Sequence, residues 1–179
     1  MGRGFDETYR LGGGDPQQDK AFIDKLLNEA NRGHISQSEF RSRLTRQLNI
    51  SNDRYNQVIH EAEQPNYELL KYIKELRKHY KTAILSNVNT GVLERKIEAN
   101  WLQDCFDAVV VSAEVGFIKP EPEIYTLVAE KLAVKPSECV FIDDKLIYAN
   151  AAKDIGMQGL VYDNLQQMKR DLDEILTKQ

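Results

Sequence analysis

Two adjacent carboxylates, Asp143 and Asp144, follow directly on the apolar pair Phe141 and Ile142. A buried, unpaired carboxylate is costly, and two side by side repel each other. A cation must meet them in the folded chain, or they must stand in water. Elsewhere a hydroxyl and an amide, Ser86 and Asn87, come just after Ile84 and Leu85, and Lys119 precedes Pro120 in the loop EVGFIKPEPEIY. A hard divalent cation such as Mg²⁺ takes one or two protein carboxylates together with waters and phosphate oxygens. An ammonium and a hydroxyl suit the remaining oxygens of a phosphoryl group. If these groups converge, they support phosphoryl chemistry.

Convergence depends on the elements that carry them. From residue 66 the chain alternates between helical and strand patterns. Leu69, Leu70, Ile73 and Leu76 make a helical face before TAILSN, a short predicted strand. Val92, Leu93 and Ile97 make the next helix, and DAVVVS the next strand. Pro122 starts a helix with Ile124, Tyr125, Leu127, Val128 and Leu132 on its apolar face. ECVFID is a strand, residues 146–154 a helix, GLVYD a strand, and Leu165, Met168, Leu172 and Ile175 mark a last helix. Strands alternating with helices, and apolar throughout, predict an α/β fold: a three-layer, Rossmann-like parallel sheet covered on both faces. In such a sheet ligands bind beyond the carboxyl ends of the strands, where all five polar residues fall.

Residues 16–64 have a different grain. Phe22, Ile23, Leu26, Leu27 and Ala30, then Phe40, Leu44 and Leu48, recur at helical spacing. Gly33 ends the first set, and Ser36 with Glu39 forms a capping-box pattern opening the second. The expected organisation is an irregular segment at 1–15, a helical module at 16–64 and the α/β core at 65–179.

ILSN, GFIKPEPEIY and FIDDKLIYANAAKDIGM together resemble the second, third and fourth motifs of the haloacid dehalogenase-like hydrolases, over roughly residues 66–162. The helical module is similar to the small cap these enzymes insert after their first strand. The resemblance implies that Ser86 and Asn87 hold a phosphoryl group, that Lys119 neutralises charge on it and on the nucleophile, and that Asp143 and Asp144 bind Mg²⁺. Lys145 departs from the small residue often found there, which ranks Asp143 above Asp144. In that family an aspartate attacks phosphorus and water hydrolyses the acyl-phosphate.

The family's first motif, an aspartate ending a central strand with a second two residues on, has no counterpart here. The nearest candidate is Asp6 in GFDET, preceded by two glycines that are poor strand material. Asp15, in GGGDP, follows no strand pattern either. The expectation is a chain that lacks its first, central strand through truncation or natural loss. Phosphatase ancestry is kept, but this chain is inactive. The strands flanking the missing one would leave exposed edges open to self-association.

Two other readings stand beside this one. A non-catalytic protein on the same fold would bind a phospholigand without turnover. A 2-haloacid dehalogenase would need no metal, and the paired Asp143 and Asp144 speak against it. Individually the residues have plainer uses: Ser86 and Asn87 as a helix cap, Lys119 as a solvated lysine, Asp143 and Asp144 as a helix N-terminus.

The 24 basic and 28 acidic residues leave a net charge of −4, which gives no pull towards nucleic acid or an anionic membrane. Cys105 and Cys139 fit no disulfide or metal spacing and read as core thiols, and His34, His60 and His79 show no partner pattern. No apolar run is long enough to span a bilayer and no signal core opens the chain, so a cytoplasmic location is expected. The expected partner is a small phosphorylated substrate.

Overall fold

A computed structural model describes residues 5–62 and 64–177. Four helices come first: α1 (Phe5–Leu11), α2 (Lys20–Asn31), α3 (Gln37–Leu48) and α4 (Asn52–Ala62). The stretch expected to be irregular is thus helical over Phe5–Leu11. Phe5 and Tyr9, four residues apart, fall on one helical face, and both join the cluster built around Ile23, Leu26, Ala30, Phe40, Leu44 and Tyr55. Ser36 caps α3, its Oγ accepting from the Glu39 N–H at 3.2 Å. The reciprocal half of the capping box is not made, because the Glu39 carboxylate is taken by Arg43 one turn on.

The remainder alternates as the apolar pattern predicts: α5 (Tyr67–Leu76), β1 (Ala83–Ser86), α6 (Val92–Lys96), α7 (Ala99–Cys105), β2 (Ala108–Val111), α8 (Ser112–Val115), α9 (Pro122–Leu132), β3 (Val140–Asp143), α10 (Leu146–Asp154), β4 (Gln158–Val161) and α11 (Leu165–Leu176). The single helix expected across Val92, Leu93 and Ile97 is two, broken at Ile97, whose backbone is extended. Among the described residues no helix is long and apolar enough to cross a membrane.

The sheet departs further from expectation. The described strands form two separate two-stranded parallel sheets rather than one continuous sheet. One pairs β1 with β2, from Ala83 opposite Ala108 to Ser86 opposite Val111. The other pairs β3 with β4, from Val140 opposite Gln158 to Asp143 opposite Val161. Helix α9 packs against the first sheet and reaches the second, Tyr125 meeting Phe141 edge to face at 5.0 Å. Val110, Ile124, Tyr125, Val128 and Ala152 form the buried centre of this core. No described strand lies between β1 and β3, and their residues are only half-buried apart from Asp143.

The module is fastened to the core at the α2–α3 turn. Arg32 pairs with Glu121 and donates to the Gly116 carbonyl at 3.3 Å. Gly33 adopts φ +74°, and a Cβ there would lie 2.2 Å from the Ala113 carbonyl oxygen, so only glycine permits this approach. Asn89, just past β1, donates to the Ile35 carbonyl at 3.1 Å.

Candidate functional site

The carboxyl ends of β1 and β3, which lie in separate sheets, meet at Lys119. The loop after α8 supplies the group that joins them. The Lys119 ammonium donates to Asp143 Oδ2 at 2.6 Å and to the Leu85 carbonyl at 3.1 Å. One side chain thereby spans the two sheets where no strand does. Both partners of the ion pair have side chains only 9% exposed. A buried pair repays its desolvation only when its remaining donors and acceptors are met, and here all but one ammonium N–H have a hydrogen-bond partner. Asp143 Oδ1 accepts from the Lys145 N–H at 2.9 Å. The ammonium also lies 5.1 Å from the Tyr148 ring centre and 5.6 Å from that of Phe141, contacts that favour a desolvated cation. Tyr125 donates to the Tyr148 carbonyl at 3.0 Å, and burial pushes its phenol well above the usual range, with the Asp143 charge adding to the shift.

Asn87 has a role its residue type did not disclose. Its Oδ1 accepts from the Lys119 N–H at 2.8 Å while its Nδ2 donates to the Lys119 carbonyl at 2.9 Å. The side-chain amide is spent on the Lys119 backbone and fixes where the ammonium starts. It therefore positions the lysine, with one of its two amide N–H groups used on the Lys119 carbonyl. Ser86 differs: half-buried at the end of β1, its hydroxyl has no hydrogen-bond partner among the described residues. Ser112, fully buried at the start of α8, accepts from the Val88 N–H at 3.1 Å and ties the loop after β1 to the end of β2. Sequence reasoning missed Ser112; its only signal was a hydroxyl closing a valine strand.

Asp144 is exposed. Partial desolvation, and after it the neighbouring Asp143, raises its carboxyl above the ordinary aspartate range. Lys145 opposes that rise but rests its ammonium 5.4 Å from the Tyr148 ring. Two adjacent carboxylates, one buried and one in water, fit a divalent cation that keeps waters and takes phosphate oxygens. No group of three or more acids, histidines or cysteines is gathered among the described residues, so an all-protein cage is not offered.

The structure does not bring Asp6 to this cluster. It lies in the first turn of α1 and acts electrostatically on Lys20. Asp15 holds its own turn, accepting from the Gln17 N–H at 2.9 Å. Asp143 is the sole carboxylate within ion-pair reach of Lys119 among the described residues. Both cysteines are free; Cys105 is buried and donates to the Leu70 carbonyl at 3.3 Å, while Cys139 is half-buried.

Comparison with known proteins adds to this geometry. The family described as haloacid dehalogenase-like hydrolase matches residues 5–161. A D-ribitol-5-phosphate phosphatase of Bacteroides thetaiotaomicron is 29% identical over 182 residues, covering 93% of this chain and 85% of that protein. Several other curated relatives are matched over less than two thirds of their own length. A HAD-like family hydrolase of Porphyromonas gingivalis superposes with a TM-score of 0.78 at 24% identity, covering 100% of this chain and 93% of the other. A HAD family enzyme of B. thetaiotaomicron, solved in complex with magnesium and inorganic phosphate, superposes with a TM-score of 0.70 at 24% identity, covering 90% and 88%. These two structures share the fold.

Proposed function

The chain belongs to the haloacid dehalogenase-like hydrolases, and from that membership we propose that its strand-end cluster is the phosphate- and cation-binding part of a phosphomonoester hydrolase site. The substrate class is a small phosphorylated metabolite. The observation that carries the reading is the buried Lys119–Asp143 pair held by Asn87. It sets a fixed positive charge beside two carboxylates and the unpartnered Ser86 hydroxyl.

In this reading Asp143 and Asp144 hold Mg²⁺, which when bound offsets the negative charge of a phosphoryl group. Lys119 donates to a phosphate oxygen as well as to Asp143, and Ser86 donates a second hydrogen bond. Asn87 keeps the lysine in place. Asp6, the nucleophile candidate, lies on α1, and no contact joins it to the strand-end residues among the described residues. We therefore read this chain as a binder of phosphate and metal that does not turn substrate over. The half-buried edges of β1 and β3, unpaired among the described residues, support self-association as a companion property.

The experiment pairs thermal unfolding with turnover. Inorganic phosphate is expected to raise Tm only in the presence of Mg²⁺. Asp144→Asn, which leaves the buried pair intact, removes that shift, and no phosphate is released from p-nitrophenyl phosphate. Metal-dependent release that disappears in Asp143→Asn and Asp6→Asn would restore Asp6 as the nucleophile. Absence of any Mg²⁺-linked phosphate shift would overturn the reading. Halide release from 2-chloropropionate without Mg²⁺ would favour a dehalogenase instead.

A further inference from the structure

A second concavity lies away from the strand ends, where the module faces α6. It encloses about 570 Å³ and is lined by Gln37 and Arg41 of α3, Tyr55, Ile59 and His60 of α4, and Arg95 of α6, among others. None of the strand-end residues lines it. Its volume falls in the range of small-molecule sites, and among the described residues no acidic side chain lines it.

Two polar groups in this groove lack partners. Gln37 Oε1 is buried and accepts no hydrogen bond, the only such buried side-chain atom among the described residues. A buried acceptor left unmet costs about 1–3 kcal/mol, and each instance calls for a reason. The Arg41 guanidinium, half-buried one turn further along the same helix, makes no hydrogen bond or ion pair among the described residues. The other half-buried arginines of the module are engaged: Arg32 pairs with Glu121, Arg43 with Glu29 and Glu39, and Arg54 donates to the Leu11 carbonyl.

We propose that this groove binds a small hydroxylated anion, the anionic group taken by Arg41, and a hydroxyl of the same molecule donating to Gln37 Oε1. A guanidinium suits a phosphate or carboxylate, whereas a buried amide oxygen needs a donor that an anion alone lacks. The first turn of α3, with Gln37 at its start, presents the positive end of a twelve-residue helix to the same space. The apolar Ile59 and the ring of Tyr55 form a dry wall for the carbon skeleton. Binding here needs no metal, which separates this groove from the strand-end cluster.

The test is isothermal titration of the full chain in EDTA with four probes: glycerol 3-phosphate, glycerate, inorganic phosphate and glycerol. Glycerol 3-phosphate or glycerate is expected to bind at least tenfold more tightly than inorganic phosphate or glycerol, and the preferred member of the pair identifies phosphate or carboxylate as the anion. Arg41→Gln, which keeps a good helix former on α3, is expected to weaken that binding at least tenfold. Gln37→Leu is expected to erase the preference over inorganic phosphate. Asp144→Asn is expected to leave all four titrations unchanged while abolishing the Mg²⁺-linked phosphate shift, so the two sites fail independently. No binding in EDTA by any probe, binding unchanged in Arg41→Gln, or a preference that survives Gln37→Leu would each overturn the proposal.

Discussion

The helical module and the strand-bearing part of this molecule are held together by different means. In the module, Tyr9, Ile23, Leu26, Ala30, Phe40, Leu44 and Tyr55 close one apolar cluster contributed by neighbouring helices. In the strand-bearing part, β1 and β3 share no backbone hydrogen bonds, and the Lys119 ammonium bridges them through the Leu85 carbonyl and Asp143. Apolar closure is forgiving, because many contacts each contribute a little. A buried ion pair is unforgiving, because loss of one partner leaves the other charged and desolvated.

Removing the bridge is expected to have the largest effect. Lys119→Met leaves Asp143 buried without its cation and should cost about 3–5 kcal/mol in urea unfolding. A cost below that of the core truncation considered next would show that the apolar contacts of α9 hold β1 and β3 together without the lysine. Leu26, 2% exposed at the centre of the module, provides that counterpart. Leu26→Ala should cost about 3 kcal/mol through lost burial and the cavity left behind. Because the lesion is confined to the module, the Mg²⁺-linked phosphate shift of the proposed site should survive at temperatures below unfolding.

The seam between the two regions is titratable. Arg32 holds the Glu121 carboxyl below its usual value of 4.5, partial burial opposes this, and the Ile118 N–H helps. A carboxyl depressed on folding contributes stability that is present above its unfolded pKa and lost as pH falls through its folded pKa. Arg32→Ala should therefore lower stability by no more than about 1 kcal/mol at neutral pH. The difference in Tm from the parent should shrink steadily below pH 4.5, to the remainder left by the Gly116 hydrogen bond; a difference constant from pH 7 to pH 3 would mean the ion pair contributes nothing. The smallest expected effect is a gain. Ala133 closes α9 at φ +52°, a conformation glycine adopts without steric cost. Ala133→Gly should raise stability by about 0.5 kcal/mol, read in the same urea series.

Much of the fold was legible along the chain. The runs TAILSN, DAVVVS, ECVFID and GLVYD contain β1 to β4, apart from the single residue Gln158, and the helix read at 146–154 is α10. These follow from apolar runs and local spacing. The buried faces of α2 and α3 include Ile23, Leu26 and Ala30, then Phe40 and Leu44, each named from helical periodicity. The break at Ile97 and the helix at Phe5–Leu11 were not legible. Each depends on what packs against it, and short apolar stretches carry too little periodicity to tell.

What the sequence determined by itself was the set of chemistry-bearing side chains and the strand ends that carry them: Ser86 ending β1 and Asn87 after it, Lys119 before Pro120, Asp143 ending β3 and Asp144 after it. Residue type and a parallel alternation suffice for that, since both are local properties. Only the tertiary structure decided how these groups divide the work. It turned the Asn87 amide onto the Lys119 backbone, buried Asp143 against the lysine, left Asp144 in water and kept Asp6 on a helix elsewhere. Hydrogen-bond partners separated by 24 and 32 residues cannot be read from spacing. They are selected by which buried donors and acceptors would otherwise go unmet, and that is settled only once the elements have packed.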